Sequence, residues 1–309
     1  MGACIIRRLL LVVPTLFVIY TITFFVMHAT PGGPFDTAGD KPLPAATRRN
    51  LEKKYGFDKP LWQQHFLYVS NLAKGDLGPS YASRNRQVTE IITEAFPRSA
   101  QLGLVAICLS VVIGIGLGIL AAVKQNSAAD YVSMLVATIG ISIPSYVTAS
   151  VLIWIISIKL DLVPTGGWEG IFSKNIIIPV IALSFFPIAI FARYTRASVL
   201  GILRQDYVRT ARAKGIKGRL VLFRHVLRNA LIPIATVGGV QFVAILTGSF
   251  FVETVCNIPG VGNLFVRSST GRDYPMLMAL TLMLAMLTII ANLLVDLLYA
   301  WLDPRISYN

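Results

Sequence analysis

Chemistry in this 309-residue chain would have to come from three histidines (His28, His65, His225), three cysteines (Cys4, Cys108, Cys256) and Asp296, the only acid within its apolar runs. Their spacing argues against catalysis. No H-E-x-x-H places two imidazoles on one helix face for zinc, and no G-x-S-x-G presents a nucleophile. No G-x-x-x-x-G-K-[ST] cradles a phosphate; the chain lacks even a Gly-Lys pair. The cysteines are too scattered for a disulfide framework or a metal cluster. Each lies in or beside an apolar run, where a thiol packs as a small buried hydrophobe. Asp296 is a functional candidate because intramembrane carboxylates are costly. An anchor, or a partner for Arg193 or Arg196, is an equally open reading, and no relay of further acids accompanies it. The expectation is a chain with no catalytic residue, no metal site and no cofactor of its own.

What the sequence does concentrate is positive charge. The stretch "YVRTARAKGIKGRLVLFRHVLRNALIP", 207–233, changes character at Gly215. Before it, small residues (Thr210, Ala211, Ala213) alternate with Arg209, Arg212 and Lys214, all compatible with a short helix that Gly215 closes in the left-handed conformation. After it, Leu220, Phe223, Leu227 and Leu231 mark one helical face and Arg224 and Arg228 another, with Pro233 opening the next apolar run. Two helices joined by a glycine turn are predicted. Three uses are open: setting topology and touching anionic headgroups, binding nucleic acid, or docking in a partner's groove. Nucleic acid is disfavoured because no aromatic residues interleave with the charges. Topology alone needs no ordered, glycine-punctuated helix.

The elements that must position this loop are membrane spans. Apolar residues make up 55% of the chain and charged residues 14%, against roughly 45–50% and 25% in soluble domains. Six runs reach the ~20 residues a bilayer requires: 9–28, 102–123, 132–158, 176–195, 231–252 and 277–302. The predicted fold is therefore all-α and polytopic, with six transmembrane helices. The first run is too long for an ordinary signal-peptide h-region, and "MHATPGG" offers no usual cleavage site, so it reads as an uncleaved helix. Pro14, Pro144, Pro179, Pro187 and Pro233 are tolerated where neighbouring helices satisfy the freed carbonyls. Gly114 and Gly118 form a G-x-x-x-G that favours close helix packing. His28 and Gln241 are polar groups that either line a pathway or hydrogen-bond between helices, and Gln241 and Gly248 on the fifth span are the pathway candidates.

Segment 196–230 carries nine Lys/Arg against Asp206, while 159–175 and 253–276 each carry two basic and two acidic residues. Positive charge is retained in the cytoplasm, so both termini and this loop are placed there. Three regions follow: a cytoplasmic N-terminus with the first helix (1–28), an extracytoplasmic segment (29–101), and a five-helix core (102–309) carrying the basic loop 196–230. The segment is too short for a sizeable core of its own. "TPGGPFD" ends the first helix, and two short helices separated by "GFDKP" follow within 45–81. In the second, Trp62, Phe66, Val69 and Ala73 share an apolar face. "VTEIITEAF" before Pro97 is a third amphipathic piece. The segment lies on the membrane, packs on its own helices, or receives an exported partner.

The residues as a set resemble the permease subunits of ABC peptide importers. "RRLLLVVPTLFVIYTITFF", "KYGFDKPLWQQ", "GDLGPS", "FPRSAQLG", "GISIPSYV", "FVETVCNIPGVGNLFV", "RDYPML" and "DLLYAWLDPRI" occur in order, and "DYVRTARAKG" is similar to that family's coupling loop. The general importer motif of Glu-Ala-Ala, three residues and Gly falls on Arg209, Thr210, Ala211 and Gly215, with Arg209 in place of the acid, as is common in the peptide group. The resemblance is strongest to the first of the two permeases of an oligopeptide importer, and extends to dipeptide, nickel and glutathione permeases; a secondary transporter is the competing class. It implies a type I ABC importer permease fold in the bacterial inner membrane. It also implies a second homologous permease, one or two cytoplasmic ATPases that hold ATP and Mg, an exported peptide-binding protein and surrounding lipid. Asp206, Tyr207, Arg209, Thr210, Ala211, Arg212, Ala213, Lys214 and Gly215 would couple to the ATPase.

Overall fold

The structure is a computed structural model describing residues 2–33, 50, 52–53, 56–83 and 86–302, with the side chains of 2–9, 232, 236, 246–248 and 296–302 outside the description. The described residues are helices and connecting loops with one isolated bridge, Pro79 to Gln87. The helices are α1 (Gly2–Ala29), α2 (Leu61–Ala73), α3 (Val88–Val123), α4 (Ala128–Ser142), α5 (Ser145–Leu152), α6 (Ile177–Leu203), α7 (Asp206–Ala213), α8 (Arg228–Val255), α9 (Val261–Thr270) and α10 (Tyr274–Leu302). A π-helical stretch, Ile153–Lys159, prolongs α5, and a second, Val221–Leu227, leads into α8. The all-α expectation holds. The short helix expected around 45–55 falls largely outside the described residues.

Among the described residues four stretches can cross a membrane alone: Leu10–Ala29, Val88–Val123, Lys174–Leu203 and Tyr274–Val295. Six spans result when two bent pairs each count as one, Ala128–Ser142 with Ser145–Lys159 and Gly218–Leu231 with Pro233–Ile245. The third predicted run is thus not one helix but two, turned by 105°. Pro144 is the cause. A proline ring clashes with helical geometry in the residue before it, so Ile143 is extended (φ −100°, ψ 122°) and Pro144 starts a new helix. Pro97 acts differently: the amphipathic piece predicted before it is simply the first turns of α3, which runs through the proline.

The chain divides into two compact units, Met1–Pro97 with Gly260–Ile289 and Arg98–Pro259 with Ile290–Asn309; α3 and α10 supply residues to both. In the second unit α6 is the central post, with two-thirds of its most apolar window buried. Small residues bring its neighbours close. A Cβ on Gly114 would sit 2.5 Å from Phe191 Cβ, and one on Gly118 2.5 Å from Thr195 Cβ and 2.6 Å from the Ala192 carbonyl, so the predicted G-x-x-x-G is a packing seam of α3 on α6. Gly140 of α4 approaches the Phe185 carbonyl in the same way. Ser110 and Ser184 bind the interhelical contact: Ser184 Oγ donates to the Ala106 carbonyl (3.0 Å) and Ser110 Oγ to that of Ser184 (3.3 Å). Cys256 is buried, but Cys108 is exposed on the face of α3 turned away from this packing, a correction to the expectation that all the cysteines are buried.

In the first unit the segment between α1 and α3 acquires a core only by borrowing. Val88, Ile91 and Ala95 pack against Val261, Met276, Ala279 and Leu280. The buried Asp273 caps α10 by accepting the Met276 N–H (3.3 Å). It also gathers Ser80 Oγ (2.5 Å) and the amides of Tyr81 (3.1 Å) and Ala82 (3.2 Å).

Candidate functional site: a basic helix seated on the second unit

Helix α7 is eight residues long, too short to be stable by itself in water. Two of its residues, Val208 (0% exposed) and Ala211 (6%), anchor it. They enter a cluster with Ala122 of α3, Val199 of α6, and Val221, Val226, Leu227 and Ala230 of the following helix. The helix ends as predicted. Gly215 has φ +77°, its N–H donates to the Arg212 carbonyl (2.9 Å), and the Ile216 N–H reaches back to Ala211 (3.4 Å). This pair of bonds is the Schellman closure, and Ile216 supplies its usual hydrophobic contact.

The second helix of the loop is present, but of its expected apolar face only Leu227 is buried. Leu220, Phe223 and Leu231 are exposed, at 50%, 61% and 41%, whereas Val221, Val226, Leu227 and Ala230 are buried. The cause is the π-helical stretch Val221–Leu227. Its i→i+5 bonding widens the turn and sets Val221 and Val226, five apart, on one side, which a 3.6-residue period does not foresee. Tyr207 ties the two helices, its Oη accepting from Asn229 Nδ2 at 2.9 Å.

Asp206, Tyr207, Arg209, Thr210, Arg212, Ala213, Lys214 and Gly215 are all exposed, while Ala211 faces inward. Arg209 lies 4.0 Å from Asp206, an open pair with side chains 78% and 97% exposed, so both remain available to a partner. Gln241 and Gly248 lie elsewhere, on α8. Gln241 is 7% exposed and its Oε1 lacks a hydrogen-bonding partner among the described residues. One turn on, Ala244 and Ile245 line a 450 Å³ cavity at the α4–α5 break, with Ile143, Pro144, Phe186 and Phe251.

Residues 114–308 match the family described as "Binding-protein-dependent transport system inner membrane component", and residues 1–103 match the N-terminal domain of such membrane components. The chain belongs to this permease family. Over 304 residues, 98% of this permease and 99% of the relative, it is 44% identical to the oligopeptide transport system permease protein OppB of Salmonella typhimurium. It is 43% identical, with the same coverage, to that of Escherichia coli. The dipeptide transport system permease protein DppB of Bacillus subtilis is 40% identical over 309 residues, 100% of this permease and 99% of the relative. The likeness to peptide permeases drawn from the quoted motifs therefore holds along nearly the whole length. In fold the permease resembles a chain of the MetNI methionine ABC transporter in inward-facing conformations, with TM-score 0.60 at 15% identity, covering 70% of the permease and 97% of that chain. A second likeness, to an amino acid ABC transporter crystallised with histidines, has TM-score 0.55 at 17% identity and covers 69% and 94%.

The permease also contains an ion pair that residue-by-residue reading missed. Arg196 Nε and Nη2 donate to the two oxygens of Asp130 at 2.6 and 2.7 Å, and the Asn126 N–H donates to Asp130 Oδ2 at 3.0 Å. Asp130 is 2% exposed. The fork joins the first turn of α4 to α6, about two turns before α6 ends at Leu203. Asp130 lies just before the third apolar run, so Asp296 was the only acid weighed as a partner for Arg196. The signal available was an acid in a helix's first turn, where the macrodipole favours it.

Proposed function

We propose that this chain is a transmembrane permease subunit of an ATP-driven importer that forms, with a second similar permease, the pathway for oligopeptides across the cytoplasmic membrane. The observation that carries this reading is a small basic helix whose inner face is fixed to α3 and α6 and whose outer face is free. Such a helix moves only if its seat moves. A cytoplasmic ATPase gripping Tyr207, Arg209, Arg212 and Lys214 would therefore displace the ends of the helices that bound the pathway. ATP and Mg belong to that partner, and this chain performs no catalysis. Both termini and the 196–230 loop are cytoplasmic in this reading, and an exported binding protein delivers peptide on the opposite side. Identity to the oligopeptide permeases along 98% of the chain supports the substrate class. The 40% identity to a dipeptide permease supports dipeptides as the second reading.

The test is capture of tagged protein from detergent-solubilised native membranes, with and without Gly215→Pro. The expected result is an ATPase recovered with the wild type and lost with the variant, together with loss of oligopeptide uptake while the variant stays inserted. A folded, monodisperse wild type that never brings down an ATPase overturns the proposal. Competition of uptake by dipeptides against longer peptides separates the two substrate readings.

A further inference from the structure

Helix α2 is buried by a face its sequence does not advertise. Of the residues at helical spacing, Trp62 and Phe66 are 62% and 64% exposed and Ala73 is exposed, Val69 is half-buried against the Tyr20 and Phe24 cluster, and the residue turned fully inward is His65, 7% exposed. His65 lies against α1. Its Nε2 is 3.2 Å from Thr21 Oγ1, its carbonyl accepts from Tyr20 Oη at 3.2 Å, and its ring meets Phe17, Phe24 and Phe25 at 5.2–6.0 Å between centroids. Tyr68, one turn on, stacks on Tyr20 at 5.5 Å.

These contacts fix a depth. Leu10–Ala29 is the part of α1 that can cross a membrane among the described residues, and in the orientation proposed above Arg7 and Arg8 mark the inner boundary. At 1.5 Å per residue Thr21 lies about 12 Å, and Phe17 about 18 Å, below the outer end at Ala29. The midplane of a ~30 Å hydrocarbon layer is at about 15 Å. A typical tilt of about 20° shortens these figures by less than a tenth. Phe24 and Phe25, which the ring also meets, lie about 7.5 and 6 Å below that end, so His65 sits inside the hydrocarbon of the outer leaflet, not on its surface. The outward Trp62–Phe66 face continues the exposed apolar surface of α1, which includes Phe17, Val18, Ile22 and Phe25. Lys59 and Lys74, both exposed, bracket the helix, and long basic stems can carry their charges back to the headgroups.

We propose that α2 is an intramembrane helix inserted from the exported side, its Trp62–Phe66 face in contact with acyl chains of the outer leaflet. Within the span Thr21 Oγ1 meets the ring at Nε2, and Tyr20 Oη donates to the His65 carbonyl. The helix thus holds the extracytoplasmic segment to the membrane on the flank of α1.

Spin labels at Trp62→Cys, Phe66→Cys and Lys74→Cys, in the full complex in lipid nanodiscs with the three native cysteines replaced, test the placement. Labels at 62 and 66 should collide with oxygen several-fold more than with a water-soluble nickel chelate, as a label at Ile22→Cys does, and the ratio should reverse at 74. Nickel accessibility at 66 equal to that at 74 overturns the proposal, as does a label at 66 shielded from both probes, which would mean that a protein partner covers the face. Should the cysteine-free background fold poorly, native protein in lipids brominated along the acyl chain gives an independent reading. Trp62→Phe should then remove a fluorescence component quenched most by deep bromines; an unchanged quenching profile overturns the proposal.

Discussion

Gly215 at φ +77° has nothing within 4 Å of where a Cβ would stand, so a side chain there meets only backbone strain, about 1–2 kcal/mol for a left-handed residue. Gly215→Asn, which tolerates that conformation, should retain most uptake, and Gly215→Val should reduce it. Gly215→Pro fixes φ near −65° and also removes the N–H that closes α7, so its loss of uptake should be the most complete; normal uptake in that variant would sink the proposal that α7 transmits a partner's movement. The Asp130–Arg196 fork makes a separate prediction. Breaking a largely buried pair costs about 3 kcal/mol, so Asp130→Asn should lower the thermal unfolding midpoint in detergent, and Asp130→Arg with Arg196→Asp should recover part of the loss. No recovery would mean that Asn126 and local packing, not the pair, carry the effect. Gly215 was legible because a left-handed turn leaves a residue-type signature. The fork was not, because its partners are 66 positions apart and nothing local in either announces the other.

Among elements, α3 and α6 offer the cleanest contrast. Gly118 has no room for a Cβ, whereas Gly116, on the opposite face, has nothing within 4 Å. Gly118→Val should cost several kcal/mol, the range expected when backbone must shift to admit a buried methyl group, and Gly116→Val should leave melting and uptake near wild type. Equal effects at both positions would refute the seam. Here a small-residue spacing was enough to find the contact, since close approach of backbones demands it. The α4–α5 break was read only as a tolerated proline. Composition shows that Pro144 interrupts bonding but not whether neighbours restore the helix axis, and in this chain the axis turns by 105°. The π-helical stretch after Gly215 hid for a related reason, since a change of period within seven residues leaves too few repeats to detect.

Across the whole molecule, apolar run lengths carried most of what could be known of the fold, because a bilayer imposes one length on every span. The segment between α1 and α3 escaped such reading, as the core it leads into is completed by residues about 180 positions later, Val261 through Leu280. The seating of α7 has a practical corollary. A synthetic copy of 205–231 would lack the α3 and α6 surfaces that hold Val208 and Ala211, and an isolated helix of this length barely nucleates. Such a peptide should show little helicity by circular dichroism and should fail to compete for the ATPase. Bridging positions 208 and 211 covalently would replace the missing seat without touching the outer face, so the bridged peptide should compete where the linear one does not. An inhibitor directed at the outer face of α7 would therefore need to mimic a shape rather than a sequence.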